Sequence, residues 1–300
     1  MKVWLITGSS GFIGAHLVES LSKDKGNLIF GYDLKKPTES FDNLVYISDQ
    51  EELTEMIEKS KIDYVVHLAA QTDVTESIRN PRKDAESNII LTVSLLQSLQ
   101  NKTIKNFIYI NSGGATYSKN ESLPFTEFSK VLPESFYGLS KNTGEEYLKI
   151  FGEIYSIPWI SLALSNVYGE DIVDGKGVIS ILFRNFIQNQ NSVIYDIGST
   201  RDFIFIEDVV TAITLCKDKP IREKINICSG DERKLIDIYT SIESITSKVS
   251  TLKILEPRKG EVVRSCMSNQ KALQKIHWSP QVDFENGLKS IYKKYLLQNP

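Results

Sequence analysis

The chain has little from which to build a metal centre or a disulfide framework. Its three cysteines, Cys216, Cys228 and Cys266, lie far apart and form no C-x-x-C pair. Neither a zinc cluster nor a disulfide scaffold is expected, and a reducing cytoplasm fits best. His67 has no companion His or Cys at ligand spacing, so it is expected to be a hydrogen-bonded core residue, and no metal is expected at all. No apolar run is long enough for a membrane helix. The opening residues Lys2-Val3-Trp4-Leu5-Ile6-Thr7 meet glycines at once instead of entering the apolar region of a signal peptide. An excess of one charge is missing too: 35 basic against 38 acidic residues leave a net charge of −3, with no general pull toward nucleic acid or an anionic membrane. There is no internal repeat or low-complexity tract. What remains is an ordinary globular composition, 41% hydrophobic and 24% charged over 300 residues, enough to bury a substantial core and bind a small partner.

Six short apolar runs read as strands: Val3–Ile6, Leu28–Tyr32, Leu44–Ile47, the run from Tyr64, Asn106–Asn111 and Trp159–Leu164. Helical spacing separates them, and this alternation predicts an α/β fold with a doubly wound parallel sheet. Ser48-Asp49 reads as a cap for a polar helix over Glu51–Lys59. Asp84–Gln100 reads as one long helix, so apolar around its circumference that two buried faces are expected. One would pack on the sheet and the other is offered as a homodimer surface. Past Ser165 the elements become shorter and more mixed. Residues 1–165 are therefore expected to form a dinucleotide-binding domain, with later returns near 192–216, and residues 166–300 mainly a smaller α/β substrate domain, with a ligand cleft between them.

The first strand runs into Thr7-Gly8-Ser9-Ser10-Gly11-Phe12-Ile13-Gly14 and then into a helix. Glycine suits such a turn because the backbone must bend tightly, approach a pyrophosphate and pack the new helix on the sheet. Gly8, Gly11 and Gly14, with Phe12 and Ile13 between them, are candidate cofactor residues, although the spacing is G-x-x-G-x-x-G rather than G-x-G-x-x-G. Asp33 ends the second strand, placed to accept hydrogen bonds from ribose hydroxyls. That favours NAD, while Lys35 and Lys36 beyond it would suit the 2′-phosphate of NADP. Asp49 is expected near the adenine. The small residues of Leu68-Ala69-Ala70 would let a cofactor lie against the fourth strand. Ser112 ends the fifth strand, on the side where ligands bind in such sheets, and is a candidate donor to a substrate oxygen. Tyr137 and Lys141 are four residues apart on a predicted helix and so share a face; an ammonium there would favour ionisation of the phenol, whose ordinary pKa is about 10. Arg201 and Arg258 sit in loops, where a guanidinium can grip phosphate in two-pronged fashion or simply form a surface ion pair.

In this order, the glycine turn, Asp33, His67-Leu68-Ala69-Ala70 and Tyr137-x-x-x-Lys141 resemble the extended short-chain dehydrogenase/reductase family, in particular its nucleotide-sugar epimerases and dehydratases. Further similar stretches are Asn166-Val167-Tyr168-Gly169, Arg201-Asp202-Phe203 with Asp208 beyond it, Asn226-Ile227 before Gly230, and Arg258-x-Gly260-Glu261. The resemblance implies a Rossmann-like domain holding NAD and a C-terminal domain gripping a nucleoside diphosphate sugar. It makes Tyr137 the base and Lys141 a ligand of the cofactor ribose that also tunes Tyr137. Asn166, Arg201 and Arg258 become contacts to the nucleotide or its phosphates, and Val178 lies in the segment that brackets the base. The epimerases resembled here commonly read S-S-S-A-T-V-Y at the strand end, with the third hydroxyl assisting Tyr; that position is Gly113, and Ser112 is the nearest substitute. The dehydratases carry an acid pair where this chain has Gly114 and Ala115, which disfavours 4,6-dehydration. The arginine common three residues before the Asn is Ala163.

The reading that results is an NAD-dependent, UDP-glucose 4-epimerase-like enzyme acting at C4 of a nucleotide sugar through a transient 4-keto sugar. One alternative is a nucleotide-sugar 4-reductase or synthase using NAD(P)H. A non-catalytic dinucleotide-binding interaction protein is another.

Overall fold

The computed structural model describes residues 1–170, 172, 175–256 and 262–299. Its strands in chain order are β1 (Lys2–Thr7), β2 (Asn27–Tyr32), β3 (Leu44–Ile47), β4 (Tyr64–His67), β5 (Asn106–Ser112), β6 (Trp159–Leu164), β7 (Asn166–Tyr168), β8 (Ser192–Tyr195), β9 (Thr200–Phe205), β10 (Lys224–Ile227), β11 (Glu232–Lys234) and β12 (Leu252–Leu255). Seven of them form one sheet in the order β10-β6-β5-β4-β1-β2-β3, every pair parallel. The strands are apolar on both faces, as a sheet covered by helices on both sides requires. Trp4, Ile6, Val66, Ile108 and Ile160 bury into one core layer, and Leu5, Val65, Phe107 and Tyr109 into the other. The chain runs outward from β1 to β3, then returns to β4 on the other side of β1. Between β1 and β4 lies the switch point at which such sheets bind ligands.

The sequence pattern supplies six of these seven strands. The seventh, β10 (Lys224–Ile227), pairs with β6 at the edge and is a short strand far along the chain from β6, so no alternation announces it. The stretch 192–216, expected to return to the first domain, divides in the structure. β8 pairs with β12 in the second lobe, whereas the helix Ile206–Cys216 packs Val209, Ile213 and Cys216 into the first core and β10 comes after it. The second lobe also holds a three-stranded sheet, β11-β9-β7, and an apolar cluster containing Phe183, Phe186, Ile238, Ile242 and Leu288.

The long helix expected over 84–100 is broken into Pro81–Ala85, a π-helical turn Glu86–Ile90 and Leu91–Leu99. A π turn inserts a residue and rotates the remainder of the helix; here the inserted turn carries Asn88, which is buried. Among the described residues no helix is long and apolar enough to cross a membrane.

The helix Phe136–Ile154 starts where Ser135 accepts a hydrogen bond from Gly138 N at 3.1 Å. It lies so close to the end of β5 that a Cβ at Gly138 would come 2.1 Å from the carbonyl oxygen of Ala115. Alanine normally gains about 1 kcal/mol over glycine inside a helix. Gly138→Ala is nonetheless expected to destabilise by about 1–3 kcal/mol, because backbone must move; the urea midpoint measures this, and a midpoint at or above wild type contradicts it.

Candidate active site

The turn after β1 is built for a close approach. Gly8 has φ +74°, and a Cβ on it would meet Ala69 N at 2.7 Å, while one on Gly14 would meet Gly8 O at 2.0 Å. The helix Phe12–Ser22 begins at Gly11 with no side-chain cap, so the N–H groups of Phe12, Ile13 and Gly14 open toward an anion. Asp33 is fixed beside this turn, accepting from Ser10 N at 3.0 Å and Lys35 N at 2.9 Å. The buried hydroxyl of Ser10 has no partner among the described residues. Cradle, orphaned hydroxyl and carboxylate together fit a dinucleotide, with pyrophosphate on the turn and a ribose diol at Asp33. Leu68-Ala69-Ala70 forms the facing wall after β4, and Ala69 N donates to Thr7 Oγ1 at 3.3 Å. Asp49 caps the helix Gln50–Lys59, accepting from Glu51 N and Glu52 N. His67 is a core residue as expected: its ring nitrogens pair with Thr7 Oγ1 at 2.6 Å and Thr92 Oγ1 at 2.9 Å, and burial pushes its pKa down to about 3. Among the described residues no group of three or more His, Cys, Asp or Glu is arranged to hold a metal.

Ser112 ends β5, and its hydroxyl lies close enough to the Tyr137 phenol to bear on the phenol's ionisation. The phenol itself is pushed up from its ordinary value by burial; Ser112 works against this and Asp84 adds to it. Lys141 is 3% exposed, with its ammonium 4.3 Å from the centre of the Tyr109 ring. Burial lowers its pKa to about 7, against the fields of Glu145 and Asp84. In the chain alone the net shift of the phenol is upward, and Lys141 is not among its causes. Lys141 is buried and Tyr137 partly so, and with its pKa lowered to about 7 the lysine itself is only partly charged at neutral pH.

At Gly113, where the resemblance implies a hydroxyl, a side chain would require a neighbour to shift. A Cβ there would lie 2.0 Å from Met267 Sδ, a fully buried thioether that the second lobe delivers. Gly114 faces Ser265 and, farther off, Asn166. The loop 118–134 joins the same cover, with Phe125 N donating to Cys266 O at 2.9 Å and Ser268 N to Phe125 O at 2.8 Å.

β7 pairs with β9 so that Asn166 stands opposite Phe203, two residues from Arg201. Asn166, Val178, Phe203 and Phe12 line a cavity of about 120 Å³, which joins the helix of the glycine turn to residues expected to bind the nucleotide. The Arg201 guanidinium donates to Thr200 O at 2.8 Å and Val263 O at 3.1 Å, tying β9 to the segment before Met267. Arg258 lies outside the described residues.

Several residues at the site have no counterpart among the sequence-derived candidates. Asn88 donates to Ser140 Oγ at 2.9 Å, to Asp84 Oδ1 at 3.1 Å and to Gln71 O at 3.0 Å. Asn111 accepts from Ser112 N at 2.7 Å, and Glu145 is fully buried. The available signal was a polar residue interrupting an apolar strand or helix face, Glu145 one turn past Lys141 being the plainest case.

The sequence profile of the NAD dependent epimerase/dehydratase family matches residues 4–228. A protein of Methanocaldococcus jannaschii, provisionally named UDP-glucose 4-epimerase, is 33% identical over 297 residues, covering 96% of each chain. A dTDP-4-dehydro-6-deoxyglucose reductase of Escherichia coli is 30% identical over 305 residues, again 96% of each. The crystal structure of UDP-glucose 4-epimerase with UDP-glucose from Thermotoga maritima superposes with a TM-score of 0.90 at 32% identity, covering 98% of this chain and 99% of that one.

Lys141 yields a pH prediction. Its pKa falls from the ordinary 10.5 to about 7 on folding, so between those values only the unfolded chain holds the proton. Stability then rises with pH, by up to about 1.4 kcal/mol per unit. Urea unfolding at intervals from neutral to strongly alkaline pH should show wild type gaining on Lys141→Met across this window. A constant difference between the two would refute the assignment.

Proposed function

The chain belongs to the NAD-dependent epimerase/dehydratase family, and from that premise we propose that it is an NAD-dependent enzyme that inverts C4 of a nucleotide sugar through a transient 4-keto sugar. The observation that carries this reading is that Ser112, at the C-terminal end of β5, lies close enough to the Tyr137 phenol to act on its ionisation, with buried Lys141 one turn along the same helix. NAD, when bound, supplies reversible hydride acceptance. Gly8, Gly11, Phe12, Ile13 and Gly14 would hold its pyrophosphate, Asp33 a ribose, Asp49 the adenine end, and Leu68, Ala69 and Ala70 the wall it lies against. Tyr137 takes the proton of the sugar 4-hydroxyl and later returns it, and Ser112 donates to the same oxygen. Lys141 binds the cofactor ribose and, when charged, stabilises the phenolate in a water-poor setting. Asn166, Val178 and Arg201, with Arg258 beyond the described residues, would hold the nucleotide. Gly113 contributes backbone alone. Gly114 and Ala115 provide no acid pair, which speaks against dehydration.

We assign residues 1–165 with the helix Ile206–Cys216 and β10 to the cofactor domain, and most of 166–300 to the substrate domain. The three cysteines are free and buried, in keeping with a cytoplasmic enzyme. The homodimer surface, expected on the helix over 84–100, is moved mainly to the neighbouring helix Phe136–Ile154, where Phe136, Leu139, Tyr147, Ile150 and Ile154 are exposed, with Ile90 the exposed apolar residue of the expected helix beside them. A second copy packed there would bury it.

The purified protein, incubated with UDP-, dTDP-, GDP- and CDP-sugars, is expected to equilibrate at least one C4 epimer pair without added reductant. Tyr137→Phe should retain NAD and lose roughly 10²–10⁴-fold in kcat. Near wild-type turnover by that variant would sink the mechanism. Stoichiometric consumption of NADH or NADPH with a keto sugar would replace epimerisation by reduction. Size-exclusion chromatography with light scattering should find a dimer that Ile150→Asp together with Leu139→Asp converts to monomer; a monomeric wild type at micromolar concentration rules the interface out.

A further inference from the structure

Glu145 is an ionised-type side chain with no exposure at all, and none of the proton or hydride transfers of the epimerisation uses it. It sits one helical turn beyond Lys141, on the face turned to the sheet. One carboxylate oxygen, Oε2, accepts from Asn111 Nδ2 and from Ser161 Oγ, each at 2.6 Å. The other, Oε1, lies 3.1 Å from Lys149 Nζ and 3.2 Å from Lys224 Nζ. Burial raises the Glu145 pKa, but Lys224, Lys149 and the two hydrogen bonds outweigh it and the net shift is downward. It is therefore a carboxylate, able only to accept.

That restriction decides the orientation of Asn111. With its amide nitrogen held by Glu145, the amide oxygen must face the other way, where it accepts from Ser112 N at 2.7 Å. A flipped amide would set oxygen against carboxylate and nitrogen against the Ser112 N–H. We propose that Glu145 is a positioning residue for the reaction, its buried carboxylate fixing Ser112 against the Tyr137 phenol by way of Asn111. The inference rests on the reading of Tyr137 and Ser112 as the groups at the sugar oxygen. It differs from a purely structural ion cluster in one respect: its effect on turnover must pass through the Ser112 hydroxyl.

Glu145→Gln can donate where wild type cannot, and so releases the amide of Asn111. With UDP-glucose, or whichever sugar nucleotide of the panel turns over, E145Q is expected to lower kcat by up to about 100-fold. KM should stay within about twofold and NAD content should stay at wild type. The decisive comparison is with Ser112→Ala, in whose background E145Q should cost nothing further. Equal losses in both backgrounds, or an unchanged kcat in E145Q, overturn the proposal. Should E145Q fail to fold, Asn111→Leu carries the same test, since it leaves the carboxylate with Lys149, Lys224 and Ser161. Crystal structures read the same point without turnover. Ser112 should leave the Tyr137 phenol in E145Q or Asn111→Leu, and its staying in place refutes the positioning role even for a protein that epimerises none of the sugars, an outcome that by itself sinks only the functional reading.

Discussion

Burying an ammonium and a carboxylate one turn apart on a single helix, at Lys141 and Glu145, dictates much of what surrounds them. A buried charge must be compensated or given up: Glu145 is compensated, whereas burial lowers the pKa of Lys141 to about 7. Lys141 rests on the face of Tyr109, whose own hydroxyl donates to the Lys141 carbonyl at 3.0 Å. Glu145 draws partners from β5, β6, β10 and its own helix. A buried ion cluster of this kind is seldom more stabilising than apolar packing of the same volume. What it does provide is direction: each partner must stand at a definite angle and distance, so the helix cannot slide on the sheet without breaking several hydrogen bonds together. Tyr137 and Ser112, carried by the two elements so joined, inherit that precision.

A second constraint closes the site from the other lobe. Asp202 is fully buried and accepts from Ser229 N, Ser229 Oγ, Gly230 N and Met267 N at 2.7–3.2 Å. It thereby fastens three chain segments, one of which sets Met267 against Gly113. The thioether fills the space beside Gly113, and the hydroxyl at the strand end is that of Ser112. The glycine that looked like a loss is the partner of a residue about 150 positions further along. Burial of the whole arrangement lifts the phenol above its ordinary pKa in the chain alone.

Much of this was readable in the residues. Parallel strands covered on both faces are apolar throughout, and helices alternate with them, so the period of the pattern and the glycine turn disclosed the sheet and its direction. The cap at Asp49, the core role of His67 and the shared face of Tyr137 and Lys141 are local, and local chemistry determined them. β10 escaped because four residues carry too little pattern, and the π turn around Asn88 because one inserted residue barely disturbs a 3.6-residue period.

The sequence by itself determined the kind of site: a glycine turn before a helix, an acid at the next strand end, and a phenol and an ammonium one turn apart. These come from spacing along the chain, which backbone geometry converts directly into a shared face or a shared strand end. Only the tertiary structure decided the electrostatics and the company. The depression of Lys141, the elevation of Tyr137, the filling of Gly113 by Met267 and the hold of Glu145 on Asn111 all depend on burial and on contacts between residues distant in sequence. Desolvation and close packing arise only once the chain has closed on itself, so no spacing along it could have encoded them.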